Sequence, residues 1–441
     1  MKKLPLFLLL LCIALSLQAQ EENAEDLSAG RQSLFKNRTV ELSVANINFN
    51  ASNDFVSFAN VFNNPFHIIW NIRDIIHDPV RMYKDPVEIN LDDFINGFRF
   101  NTSAAIKPLS LNFNWKDNWG VGFDVGHINA WGNFNIPAKV LSLKDAANER
   151  IGMGMAVFAD AGIPVFFHFD ELKIKFRPAV YVPLFYTRPS ITYTYKRETQ
   201  NPETGVEGSS LELTYDMRIY SLFDMRQGMK QGLADEAWNI PGNNLGYDFG
   251  LCVEYPWDDS IDIGVNFVNI PIPYVAGKLN HYTQLNGSMG FDTSHIDMNG
   301  MLTGEISEHA YHFDDDGRTY GYNSTGQKIY RPFTMLVYAN YRLPDSYMLA
   351  LIPSLGFSIN PLFLKPFGVE GGLSARLDLA NIFVTTVGIN YNDRVWKNSI
   401  DFILNLRAFE LDLGLSTQSA SFKKSWQGAG IGVNFGMKFG W

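Results

Sequence analysis

Residues 432–441 read GVNFGMKFGW. Every odd position from 429 onward is apolar: Ala429, Ile431, Val433, Phe435, Met437, Phe439 and Trp441. Every even position is small or polar: Gly428, Gly430, Gly432, Asn434, Gly436, Lys438 and Gly440. A period of two with one apolar face describes an extended strand, because successive side chains leave the backbone on opposite sides. Chain ends ordinarily fray into water. An alternation that runs through to Trp441 instead predicts a strand held against apolar surroundings.

The same alternation recurs upstream. In WGVGFDVG (119–126), Trp119, Val121, Phe123 and Val125 oppose Gly120, Gly122, Asp124 and Gly126. In IDIGVNF (261–267) and FELDLGLS (409–416) the apolar face opposes Asp262, Gly264 and Asn266, and then Glu410, Asp412, Gly414 and Ser416. Long strands of this kind are expected from about residue 38 to 50, from 99 to 196 with short interruptions, and from 246 to 441. Short joins at 116–118, 169–171, 257–259, 343–345, 379–380 and 407 exchange with longer polar connections at 135–150, 197–245, 313–328, 360–365 and 419–426. Aromatic residues make up 14% of the chain, and there are 36 glycines. A soluble sandwich shares the local alternation. The regular exchange of short and long joins belongs to a transmembrane antiparallel β-barrel, here of about 14–16 strands.

The first twenty residues read as a secretory signal peptide: Lys2 and Lys3, an apolar run over 4–17, and Ala19 before the cleavage point. Cleavage for lipidation at Cys12 would leave too short an apolar core. Past this run no apolar stretch reaches the roughly 18 residues that a spanning helix needs. Loss of two lysines takes the net charge from −10 to −12, which argues against a nucleic-acid partner. Cys252 then remains alone, so no internal disulfide is expected.

Residues 21–441 form one barrel domain with two insertions. The stretch 51–97 has helical spacing, with Phe55, Phe58, Phe62, Ile68, Ile72 and Ile76 on its apolar faces, and reads as a plug or a cap. Residues 197–245 read as one long external loop with a helix over 220–238, and 136–149 as another short helix.

Little in the chain points to chemistry. No HExxH, CxxC or GxSxG motif is present, so no enzyme, cofactor or metal site is expected. Asp314-Asp315-Asp316-Gly317 lacks the rest of a calcium loop and reads as a hairpin turn. With the apolar faces toward lipid, Asp124, Asp262, Asp401, Glu410, Asp412 and Lys438 point into the lumen, since charge on the lipid face is costly. An acidic lining favours cations or neutral solutes.

Asn434-x-Gly436-x-x-Phe439-x-Trp441 resembles the terminal signal of bacterial outer-membrane barrels. The resemblance implies outer-membrane lipid around the protein and the barrel-assembly machinery as a partner. NRTVELSVANINFNASNDFVSFANVF (37–62), VEINLDDFING (87–97) and GYDFGLCVEYPWDDSIDIGVNFVNIPIP (246–273) resemble uncharacterised spirochaete outer-membrane proteins. Some of those barrels are similar to the long-chain fatty-acid transporter, a plugged barrel, although its Asn-Pro-Ala signature is absent here. The implied function is a passive outer-membrane channel or transporter for a small solute, apolar if the transporter resemblance holds. The alternative is a surface-exposed binding protein, an adhesin or a scaffold.

Overall fold

The computed structural model describes residues 39–53, 98–115, 119–137, 149–169, 172–188, 190–200, 207–227, 244–292, 311–343, 346–363, 365–380, 382–406 and 408–441. The expected signal peptide, residues 54–97 of the insert with its six apolar plug residues and most of 136–149 lie outside these residues; Ala51–Asn53, read as the start of the insert, are the end of a wall strand.

Nineteen strand segments form one antiparallel sheet closed on itself. The first three are β1 (Val40–Asn53), β2 (Phe98–Trp115) and β3 (Trp119–Ile136). They are followed by β4 (Glu149–Gly162), β5 (Val165–Phe169), β6 (Leu172–Thr187), β7 (Ser190–Gln200) and β8 (Glu207–Ser221). The middle of the chain gives β9 (Gly246–Pro256), β10 (Ile261–Pro271), β11 (Gly277–Asp292), β12 (Tyr311–Ile329) and β13 (Phe333–Leu343). The last six are β14 (Ser346–Ile359), β15 (Phe367–Leu379), β16 (Phe383–Asn392), β17 (Val395–Asn405), β18 (Phe409–Ser419) and β19 (Gly430–Gly440). One short helix, α1 (Phe422–Trp426), sits between the last two. β19 pairs back onto β1, from Glu41 opposite Gly440 to Ser52 opposite Gly430, and so closes the barrel.

Five neighbouring pairs of segments run on in the same direction: β4–β5, β6–β7, β8–β9, β10–β11 and β12–β13. For example, β6 pairs with β8 over Phe185–Thr187 and with β9 over Lys173–Tyr181, so β8 and β9 lie end to end. Counted as continuous staves, nineteen segments make fourteen, within the expected range. Several breaks carry a proline, which cannot donate to the ladder: Pro164, Pro273 and Pro332.

The outward face is apolar. Phe123, Val125, Leu373, Val387, Leu413 and Leu415 are exposed, while Asp124 between the first two is buried. Aromatic rings gather at the two ends of this belt. At the end where β1 begins and β19 finishes, Trp115 stacks on Trp119 at 4.3 Å, Phe383 on Phe402 at 5.9 Å, and Phe409 lies 5.3 Å from Phe439. At the far end Phe357 touches both Phe333 and Phe367 at 5.9 and 5.7 Å. An apolar band between aromatic girdles is the outer surface a bilayer requires, and a closed barrel leaves no unpaired edge in it.

Two expectations need correction. Residues 207–221, read as part of a long loop, form β8: Leu213, Tyr215, Met217 and Ile219 are more buried than Glu212, Thr214, Asp216 and Arg218 between them. Over 220–227 the described chain ends this strand and adds a 3-10 turn (Met225–Gln227) in place of the start of a helix. Residues 313–328, including the Asp-Asp-Asp-Gly run, belong to β12. That strand absorbs its glycines as irregularities, with Gly317 at φ 96° and Gly326 at φ 67°, so it does not turn. β7, β8, β11 and β12 continue past the level at which Phe333 meets Ile359, and rise as a sheet beyond the far rim.

Candidate functional site: a two-tier constriction in the lumen

Inside the barrel, residues of β2 through β12 form two stacked tiers. The lower tier is ionic. Arg331, in the break between β12 and β13, puts Nε 2.7 Å from Asp248 Oδ2, Nη2 2.5 Å from Asp248 Oδ1 and Nη1 2.6 Å from Asp160 Oδ2. Arg177 on β6 bridges onward, with Nη2 2.7 Å from Asp160 Oδ1 and Nε 2.9 Å from Asp124 Oδ2. Lys107 on β2 lies 3.7 Å from Asp124. His127 Nδ1 stands 3.1 Å from Asp160 Oδ2, and Asn129 Nδ2 also donates to that oxygen at 3.1 Å. Three cationic side chains thus meet three carboxylates. Arg331, Asp160 and Asp248 are each buried, where a charge persists only if paired and hydrogen-bonded.

The upper tier is apolar, and its position inside a membrane barrel is unusual because lumen walls are generally polar. Ala156 and Phe158 on β4, Tyr181 on β6, Leu279 on β11 and Ile329 on β12 belong to one buried cluster, which also takes in Val182 from the opposite face of β6. Leu222 and Phe223, which follow β8, join it, as does Leu362 from the connection after β14. Phe158 meets Trp131 and Tyr181 edge-on at 5.5 and 5.9 Å. Tyr181 couples the tiers: its ring lies 5.2 Å under the Arg331 guanidinium, its hydroxyl donates to Ile329 O at 3.0 Å and accepts from Gly277 N at 3.2 Å. Gly246 leaves the space the ring fills, because a Cβ there would overlap it.

Toward the end where β1 begins and β19 finishes, the inner wall carries smaller polar groups of the same kind. Glu254 accepts from Lys173 at 2.8 Å and from Tyr338 at 3.0 Å, and Tyr338 Oη lies 3.8 Å from Cys252 Sγ. Asp262 pairs with Arg342, and Glu410 with Lys438 at 3.1 Å.

The residues singled out in the sequence fall as follows. Asp124, Asp262, Glu410 and Asp412 are buried on the inner face, and Asp401 and Lys438 are half-buried. Asp401 lies against Gly414, opposite it in the ladder. Only Asp124 belongs to the ionic tier; the others are spread along the inner wall. Three of the acids are neutralised by Arg177, Arg342 and Lys438, so at these positions the wall is ion-paired rather than acidic. Asn434 is buried on β19, while Phe439 and Trp441 are exposed on the outer face. Asp160, Arg177, Asp248 and Arg331 were missed. The first three occupy alternating positions that an inner-face reading could have found. Arg331 sits in a strand break and has no such signal.

Solved structures similar to this chain include transporters and channels. The Ralstonia pickettii toluene transporter TbuX is 9% identical, with 92% of this chain and 90% of that one covered, at a TM-score of 0.42. The CymD monoaromatic hydrocarbon channel is 8% identical, with 94% of each chain covered, at 0.43. A Pseudomonas aeruginosa FadL homologue is 9% identical, with 90% and 88% covered, at 0.34. No family model and no curated protein matches the chain. The spirochaete resemblance remains an expectation from sequence.

Proposed function

We propose that the protein is a passive channel or transporter of the bacterial outer membrane for a small apolar solute. The observation that supports this reading is the apolar tier. A pore for ions or sugars gains nothing from Phe158, Leu222, Phe223 and Leu279 packed together around Tyr181, whereas an apolar solute gains about 25 cal/mol for each Å² it buries there. The ionic tier beneath carries no net charge, so it neither attracts nor repels such a solute. No step of this reading is catalytic.

Uptake of a labelled alkane or monoaromatic by intact cells producing the protein tests it. Uptake above that of cells lacking the protein, abolished by Phe158→Arg with the barrel still folded, is the expected result. Equal uptake with and without the protein would remove the reading. Export through residues 1–20, and recognition of Asn434, Gly436, Phe439 and Trp441 by the barrel-assembly machinery, belong to the same proposal.

A second reading, surface binding, draws on the sheet of β7, β8, β11 and β12 that rises beyond the rim. Shortening that sheet would abolish surface binding and leave solute uptake intact.

A further inference from the structure

The connection between β14 and β15 turns inward. Asn360 N donates to Pro366 O at 2.8 Å and Phe363 N to Asn360 O at 3.3 Å, which folds Asn360–Phe363 into a compact turn. Leu362 and Phe363 at its tip are buried. The Leu362 carbonyl lies 2.5 Å from the place a Cβ on Gly154 would occupy, so β4 receives the turn at a position where any side chain would collide with it. Between β4 and β14 stand four other staves by the shorter way round. The turn therefore crosses the lumen and supplies part of the apolar tier from the opposite wall.

What holds it there is the β16–β17 hairpin. Asn392 pairs with Val395, which leaves a two-residue loop, Asp393-Arg394, with both residues left-handed at φ 47° and 66°. Such a loop favours Asn-Gly, and Arg in this conformation costs about 1–2 kcal/mol. Both side chains are nevertheless used. Asp393 Oδ1 accepts from Asn360 Nδ2 at 3.4 Å, and Asn360 Oδ1 in turn accepts from Leu362 N at 3.1 Å. Arg394 donates to the carbonyls of Lys365 and of Phe367, the latter at 3.0 Å, and its guanidinium lies 4.8 Å over the Phe363 ring. The Asp393 N–H donates to the carboxylate of Glu370 on β15, which ties the hairpin to the same wall. Strain kept at a turn whose side chains all grip one neighbouring segment points to a role for the grip.

We propose that Asp393 and Arg394 form a clasp and that Asn360–Phe363 is a stopper, so that release of the clasp withdraws Leu362 from Gly154 and opens the lumen from the far end. The inference rests on the lumen being the solute's route.

Asp393→Asn with Arg394→Gly tests it without weakening the hairpin, because Asn-Gly is the loop's own preference. Two measurements follow on the purified full-length barrel. Deuterium uptake of the backbone over 360–366 is expected to quicken at least tenfold, with the strands unchanged; unchanged exchange overturns the clasp. Conductance in planar bilayers is expected to rise several-fold, and to rise also in Leu362→Ala with the clasp intact. Faster exchange with conductance equal to wild type overturns the stopper. A variant that conducts freely while cells still take up no apolar solute keeps clasp and stopper, and removes only the solute assignment.

Discussion

Arg331 and Asp160 lie 171 positions apart in the chain, yet the guanidinium Nη1 stands 2.6 Å from the carboxylate Oδ2. The contact exists because β12 ends at Ile329 and the chain bends inward before Phe333. Arg331→Met would leave Asp160 and Asp248 short of a buried partner, at a cost of about 3–5 kcal/mol. Unfolding by urea in detergent, read by the shift of the heat-modifiable band, is expected to show that loss. Adding Asp248→Asn should restore part of it. A single variant as stable as wild type would show that the tier is hydrated rather than desolvated.

Phe158 is 1% exposed and meets two aromatic neighbours. Phe158→Ala should cost about 3–5 kcal/mol through the cavity it leaves. The same cavity should admit water and raise basal ion conductance. Thermal unfolding and bilayer recordings on one preparation would check that the two effects occur together.

Burial pushes the Asp393 carboxyl up to about 6, against the opposing pull of Asn360 and Arg394. The folded state therefore binds a proton more tightly than the unfolded chain. Its contribution to the clasp is full below the ordinary carboxylate range and is lost as pH rises through about 6. Conductance should accordingly be lower at pH 5 than at pH 7. Asp393→Asn, which cannot ionise, should flatten that dependence, and recordings across this range in both proteins would show it.

Val387 is 52% exposed near the middle of β16, while Thr386 beside it faces inward, opposite Asp401. Val387→Arg should cost about 2–4 kcal/mol if that position lies near the bilayer midplane. Thr386→Arg should cost far less. Equilibrium folding into lipid vesicles compares the two directly; equal costs would contradict the assignment of faces.

Much of the barrel was legible from alternation alone, because membrane strands must separate an apolar face from a polar one at every step. That rule also located Asp124, Asp262, Glu410 and Asp412 on the buried side. Their pairings were not legible. Arg177, Arg342 and Lys438 reach three of them from other staves, and register is a property of the closed sheet rather than of any one segment. β12 escaped because its strand-breaking glycines and its aspartates read as a turn. The stopper escaped for another reason: Asn360–Phe363 is too short to carry a period, and its meaning depends on Gly154, which the chain reaches only through the fold.

The pairing of β1 with β19 has a temporal consequence. Asn53 donates to the carbonyl of Ala429, 376 positions later. Until β19 has been made, β1 and the newest strand each offer a bare edge, and every apolar outer face stands in water. The seam between the first and last strands is therefore the last pairing the chain can make, and the two edges it joins stay unpaired until then.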